Sequence, residues 1–299
     1  MTEPSVFVLG AQKCGTTTVA DLLAAQPEIF VPSVKETYFF CDEELWARGV
    51  DWYRSEFYRP SATGEARIFC DATPFYLASA EAIDRLAGNS GADARFIVTL
   101  RDPVKRAYSA YWHQKRLGNE PLSFEDALDA EPGRVRAARA ENGRWWRHAY
   151  VGVGRYASQL DHAFEVLGRD RILVLLPEDL EDVPALQERL REFVGLCPAN
   201  GNGKSVSGLH SNSSAMPRSQ ALHRLVTGKN PLKSVVRTLV PREMRSRVGR
   251  KILAVNLKPG QYPPIDAAAL DRLRRLFEPD IERLASMGLT GAITWKGAG

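Results

Sequence analysis

The chain has 299 residues, enough to bury a large core as one domain or at most two. Its 44% hydrophobic and 25% charged residues are those of an ordinary soluble globular protein. A net charge of +4 is too mild to argue for a nucleic-acid partner.

Four cysteines (Cys14, Cys41, Cys70, Cys197) are scattered without C-x-x-C spacing or paired histidines, which argues against a zinc site. They suit a reducing compartment better than a disulfide framework. The N-terminal apolar run stops at Gly10, too short for a signal peptide or a membrane span. A cytoplasmic protein with no transmembrane segment is the expectation.

Along the chain, Val6 to Leu9 reads as a buried strand, followed by a glycine-bounded turn and a helix opening at Thr16. Ala80 to Ala87 is helix-like and precedes a second strand, Phe96 to Leu100. "YASQLDHAFEVLG" repeats Leu160, Phe164 and Leu167 at helical spacing before a third strand, Ile172 to Leu176. Strands alternating with helices predict an α/β fold: a P-loop-like single domain over 1–299 with a central parallel β-sheet flanked by helices. From Arg218 to Lys258 eleven basic residues stand against Glu243 alone, a local net charge of +10 that leaves −6 for the rest. With its apolar stripe, the segment at about 218–258 reads either as a solvated helical face or as a basic wall for an anionic ligand.

"GAQKCGTTT" has the glycine spacing of a nucleotide-binding G-x-x-x-x-G-K-[ST] loop, but Thr16 stands where the lysine belongs and the lysine is Lys13. Turn amides and a helix N-terminus make an anion site without any catalytic group. Lys13, Cys14, Gly15, Thr16, Thr17 and Thr18 are therefore candidate ligands of an anion. The residues alone leave open a plain strand-to-helix turn with a threonine cap. In "LRDPVKRAYSAYWHQ", Arg101 closes a strand and Pro103 suits a first helical turn. Ser109 and His113, four apart, share one helical face. Guanidinium and hydroxyl converging on one phosphate is sound chemistry; a lone Arg-Asp-Pro also occurs as a salt-bridged strand end.

These stretches together resemble the sulfotransferases that use 3′-phosphoadenosine-5′-phosphosulfate (PAPS), specifically the heparan sulfate N- and O-sulfotransferase branch in a bacterial-type form. "GAQKCGTTTVADLL" is similar to that branch's 5′-phosphosulfate loop, and "LRDPVKRAYSAYWHQ" to its 3′-phosphate motif, with the arginine and serine at Arg101 and Ser109. "KETYFF" resembles the motif whose acidic residue, here Glu36, is the base, and "DATPFYL" the substrate-side segment that follows. "GRYASQLDHAF" matches a G-x-Y helix start, "LKPGQYPPID" the late loop over the nucleotide, and "LRRLFEPDIERLASM" with the following Thr294-Trp295 the C-terminal helix; the resemblance implies that Tyr156, Lys258 and Gly260 bind the donor.

The resemblance implies sulfuryl transfer from PAPS to a hydroxyl or amine on a small-molecule, glycan or lipid-like acceptor, with Glu36, Lys13 and His113 catalytic and no metal. A lysine inside the turn suits a terminal sulfonate, which carries less charge than a γ-phosphate. The family's lysine before Thr-Pro is replaced here by Ala72, which implies an acceptor other than a heparan-like polymer. Trp145 and Trp146 read as core or as an acceptor-pocket wall. A P-loop kinase or ATPase and a non-catalytic nucleotide-binding protein are the alternative readings.

Overall fold

Five short strands, Val and Ile rich and buried on both faces, form the centre of the fold, as expected for a parallel sheet covered on each side. The computed structural model describes residues 3–59, 66–197, 215–217, 257–259 and 262–296. In chain order it contains β1 (Val6–Gly10), α1 (Thr16–Ala24), β2 (Ile29–Phe30), α2 (Glu43–Trp46), α3 (Val50–Phe57), β3 (Ile68–Ala72), α4 (Ala80–Asn89) and β4 (Arg95–Thr99). Then follow α5 (Pro103–Leu117), α6 (Phe124–Ala140), α7 (Tyr156–Leu167), β5 (Ile172–Leu175), α8 (Val183–Phe193), β6 (Ala215–Pro217), β7 (Leu257–Pro259) and α9 (Ala267–Ser286).

The sheet order is β2-β3-β1-β4-β5, parallel throughout. Alternation along the strands gives two cores. Val6, Val8, Ile97 and Leu175 face Val19, Leu22 and Leu23 of α1 and Leu186 and Leu190 of α8. Phe7, Leu9, Phe96 and Val98 face the other way, toward α4, α5, α7 and α9; Leu160 and Phe277 lie in that cluster. The chain leaves β1 toward β3 and β2, and leaves β4 toward β5, so connections run in opposite directions from the two central strands. A crevice at the carboxyl ends of such strands is the usual ligand site of an open α/β sheet.

The three predicted strands are present: β1 and β5 differ by one residue at their C-terminal ends, and β4 is shifted by one residue at both ends, starting at Arg95. Leu100 and Leu176 lie beyond β4 and β5, and β1 extends to Gly10. Two strands carry no adequate sequence signal: β2 has two residues, and β3 ends in Asp71-Ala72. The basic 218–258 segment lies outside the described residues up to position 256. Its last two residues belong to β7, an extended partner of β6, not to a helix.

Helix α9 is joined to the start of α7 by one carboxylate. Asp280 accepts the Tyr156 and Ala157 amides, both at 3.0 Å, and so caps a helix that has no cap from its own flanking side chain. Replacing Asp280 with Ala should cost about 1–2 kcal/mol, the scale of a lost helix cap, read as a lower urea midpoint with unchanged slope.

Candidate active site

The turn between β1 and α1 is shaped by left-handed backbone at Lys13 (φ 69°) and Gly15 (φ 98°). Glycine accepts that region without strain whereas lysine does not, so the Lys13 conformation must be held by its surroundings. β4 supplies part of the hold: the Ala11 amide donates to the Thr99 carbonyl at 2.7 Å, and the Thr99 hydroxyl donates to the Gly10 carbonyl at 3.2 Å. Arg101 Nη1 donates to the Lys13 carbonyl at 3.2 Å. From below, the Cys14 thiol lies 3.4 Å from the Tyr156 hydroxyl. Burial pushes both of these groups up, so each stays neutral. A Cβ on Gly15 would run into Leu180.

Helix α1 has Gly15 as its N-cap and no side-chain cap. The threonine-cap alternative is therefore not what the chain adopts. The first-turn amides of an uncapped helix are unsatisfied donors with partial positive charge. Here they belong to residues that line a cleft of about 960 Å³. Lys13, Cys14, Gly15, Thr16, Thr17 and Thr18 all reach it, as do Arg101, Ser109, His113 and Glu36.

The opposite wall is α5. Asp102 caps it, accepting the Val104 amide at 2.8 Å and the Lys105 amide at 3.3 Å, with Pro103 in the first turn. That fixes Arg101 at the rim of the sheet. Only one guanidinium bond of Arg101, to Lys13, is made among the described residues. One turn past Ser109, His113 Nδ1 lies 3.0 Å from Arg116 Nη2. Arginine has no acceptor to offer, so Nδ1 accepts and the ring hydrogen sits on Nε2. Burial, Lys13 and Arg116 push the His113 pKa down to about 4. Burial and the charges of Arg116 and Arg101 lower that of Lys13. Lys13, Arg101 and Arg116 crowd together strongly enough that the arginines lower the Lys13 pKa although Glu36 acts the other way, an arrangement that favours a polyanionic ligand.

The third wall carries Glu36. Its carboxylate accepts the Tyr38 hydroxyl. The Tyr38 ring is stacked 5.8 Å from Trp146 and 6.0 Å from Phe75, with the Arg144 guanidinium 4.9 Å from its centroid. Phe39 and Phe40 are buried beneath.

Tyr156 does not line the cleft; it supports the loop from underneath through Cys14. Trp146 is both buried and at the cleft wall, whereas Trp145 packs under Arg139 away from it. Lys258 is paired opposite Met216 in β7, and Gly260 lies outside the described residues.

Sequence reasoning missed Arg116, Arg147, Tyr262, Thr294 and Trp295, all at the cleft. A charge one turn beyond His113 was a usable signal for Arg116. Thr294 and Trp295 belong to the C-terminal motif that the resemblance covers, but nothing in their spacing places them at the cleft. Arg106, at 0% exposure, places a buried cation near Cys14 and Tyr156 and donates to the Tyr150 carbonyl. Among the described residues no group of three or more His, Cys, Asp or Glu is placed to hold a metal ion. No helix there is long and apolar enough to cross a membrane.

Comparison with known proteins gives consistent matches. A family model described as "Sulfotransferase domain" matches residues 3–214. The human bifunctional heparan sulfate N-deacetylase/N-sulfotransferase 3 is 30% identical over 204 residues, 65% of this chain and 22% of that protein. The mouse heparan sulfate glucosamine 3-O-sulfotransferase 3A1 is 29% identical over 194 residues, 64% of this chain and 46% of that one. The matched part thus spans less than half the length of either relative. The crystal structure of a sulfotransferase from Alicyclobacillus acidocaldarius superposes with a TM-score of 0.66 at 24% identity, covering 96% of both chains. The fold is shared.

The His113 environment makes a pH prediction. Its folded pKa, about 4, lies below the ordinary imidazole value of 6.5, so the unfolded chain binds more protons between those limits. The contribution to stability is complete above about pH 6.5 and is lost as pH falls toward 4. Imidazole NMR should show His113 as the neutral Nε2–H tautomer at pH 6. Titration near 6.5 would contradict the Arg116 contact.

Proposed function

The chain belongs to the sulfotransferase domain family, and on that premise we propose that it moves a sulfuryl group from PAPS to an acceptor hydroxyl or amine, releasing adenosine 3′,5′-bisphosphate. The observation that carries this reading is convergence: the uncapped loop, the Arg101–Ser109 wall and Glu36 meet around one cleft at the carboxyl ends of β1 and β4.

In this proposal the loop amides and the Thr16, Thr17 and Thr18 hydroxyls hold the 5′-phosphosulfate, as helix N-termini hold anions. Cys14 and Gly15 shape that turn. Arg101 and Ser109 take the 3′-phosphate, the guanidinium using the N–H groups left over from its bond to Lys13. Tyr156 keeps the loop in place, and Lys258 and Gly260 belong to the segment over the nucleotide. The donor supplies a sulfuryl group already bonded to a phosphate oxygen that leaves readily.

Glu36 takes the proton of the acceptor as the acceptor's oxygen or nitrogen bonds to sulfur and the bond from sulfur to the phosphate oxygen breaks. Lys13 stabilises the charge that develops on the leaving phosphate, the kind of interaction that acts most strongly in a water-poor site. With Nδ1 occupied by Arg116, His113 donates from Nε2 to a sulfuryl oxygen; a pKa of about 4 makes it a poor base at neutral pH. No protein-held metal ion enters this scheme.

For the acceptor, the Tyr38–Phe75–Trp146 wall offers aromatic surface beside Glu36. This supports a small molecule, glycan or lipid-like acceptor with an apolar or sugar-ring face. Ala72, where the family commonly has lysine, favours one other than a heparan-like polymer. The relatives' names cover both nitrogen and oxygen sulfation, so either acceptor atom belongs in the test. Four free thiols support a cytoplasmic setting, and residues 1–299 are read as one domain.

Incubating the protein with PAPS and a panel of phenols, alcohols and hexosamines should yield a sulfated product by mass spectrometry. Lys13→Ala should lower turnover by roughly a hundredfold to a thousandfold, the scale of losing one donor to developing charge. Glu36→Gln should lower it by roughly a hundredfold to ten-thousandfold, with bisphosphate affinity unchanged because the base faces the acceptor. Lost nucleotide affinity in Glu36→Gln would make that residue structural, and near-normal turnover would remove it as the base.

A further inference from the structure

Asp71, the penultimate residue of β3, is completely buried and among the described residues pairs with no cation. A buried carboxylate needs compensation, and here hydroxyl groups alone provide it. Oδ2 accepts from Tyr53 at 2.6 Å, Thr37 at 2.7 Å and Tyr76 at 2.9 Å. Oδ1 accepts from Thr73 at 2.8 Å. Burial pushes its pKa up while these four bonds pull it down.

The donors are not scattered. Thr37 directly follows Glu36, whereas Thr73 and Tyr76 come from the "DATPFYL" stretch. The two stretches are clipped a second time. Thr73 Oγ1, whose hydrogen goes to Asp71, accepts the Thr37 amide at 3.1 Å and the Tyr38 amide at 3.3 Å. Thr37 Oγ1 in turn accepts the Phe39 amide at 3.4 Å. Tyr38 sits at φ 58°, a left-handed conformation that a bulky residue adopts only when it is held there. It is the same Tyr38 whose hydroxyl donates to Glu36. The amides of residues 37, 38 and 39 are thus all held by hydroxyls that bond Asp71, while the Tyr38 carbonyl accepts the Cys41 and Asp42 amides.

We propose that Asp71 is a positioning residue for the reaction: through Thr37 and Thr73 it fixes the backbone on which Glu36 and its partner Tyr38 are carried. The inference rests on the assignment of Glu36 as the base. It explains a carboxylate placed in the core, where apolar packing would be the simpler way to build stability. Hydroxyls suit this use because each directs one hydrogen at a fixed point, and the carboxylate offers enough lone pairs to collect all four. A shift of about 1 Å in a reacting group is enough to cost on the order of a hundredfold in rate.

The test is a double-mutant cycle using PAPS and whichever acceptor of the panel turns over fastest, under single-turnover conditions. Thr37→Val keeps shape and removes one hydroxyl from Asp71; it should lower the rate roughly tenfold to a hundredfold, with affinity for adenosine 3′,5′-bisphosphate unchanged. Thr37→Ser should restore most of the rate. In the Glu36→Gln background, Thr37→Val should cost less than twofold, because the group being positioned is already gone. Asp71→Asn, which sets an amide N–H against the hydroxyls, should behave like Thr37→Val if it folds. An equal loss in both backgrounds, or a loss of nucleotide affinity, overturns the proposal and leaves Asp71 a core group. The Glu36→Gln rate read alone tests the base itself, so the two failures are distinguishable.

Discussion

The site depends on one turn that the chain would not adopt unaided. Between Gly10 and Thr16 the backbone must pass through left-handed conformations, one of them at a lysine, and present the amides of an uncapped helix to solvent. Each of these features opposes folding locally. The surrounding fold supplies the compensation: Thr99 and Arg101 grip the turn from β4, Tyr156 meets Cys14 below it, and Leu180 fills the space a side chain at Gly15 would need. Because α9 caps the helix bearing Tyr156 through Asp280, the C-terminal helix is coupled to the loop through the core.

The electrostatics follow from that geometry. Lys13, Arg101 and Arg116 are close enough to depress the Lys13 pKa, and Arg106 adds a buried charge near Cys14. Mutual repulsion of this kind is unfavourable, and a polyanion bound among these groups would relieve it. Specificity among polyanions then comes from position: a lysine within the turn, an arginine already anchored by one bond, and a serine one turn into α5. On the other side, Tyr38 packs against both Phe75 and Trp146, with Arg144 over its ring, and so holds the hydroxyl that donates to Glu36. On the proposed reading, the cationic end of the cleft takes the donor and the aromatic, acidic end the acceptor.

Much of this was legible in the sequence because it is local. The β1–α1 turn, the Arg101–Pro103 start of α5 and the Ser109–His113 face are each written within a few residues, and short apolar runs located three of the five sheet strands. What escaped was non-local or too short to have a period. β2 has two residues, and β3 carries a buried Asp71 whose four hydroxyl partners become visible only when residues 37, 53, 73 and 76 are brought together. Tyr156 was assigned to the ligand from its motif, yet its hydroxyl faces Cys14 beneath the loop. Thr294 and Trp295 reach the cleft from the far end of the chain, a placement that no spacing rule could have supplied.

The central claim is that the loop and the Arg101–Ser109 wall form a two-point clamp for a nucleotide carrying phosphates at both 3′ and 5′ positions, with lysine and arginine in place of a metal ion. Calorimetric titration in EDTA with adenosine 3′,5′-bisphosphate and, separately, with adenosine 5′-phosphate tests it most directly. The account predicts binding of the bisphosphate without metal, at least about tenfold tighter than the monophosphate, as expected when one charge-assisted contact is lost. Equal affinity for the two nucleotides would contradict it.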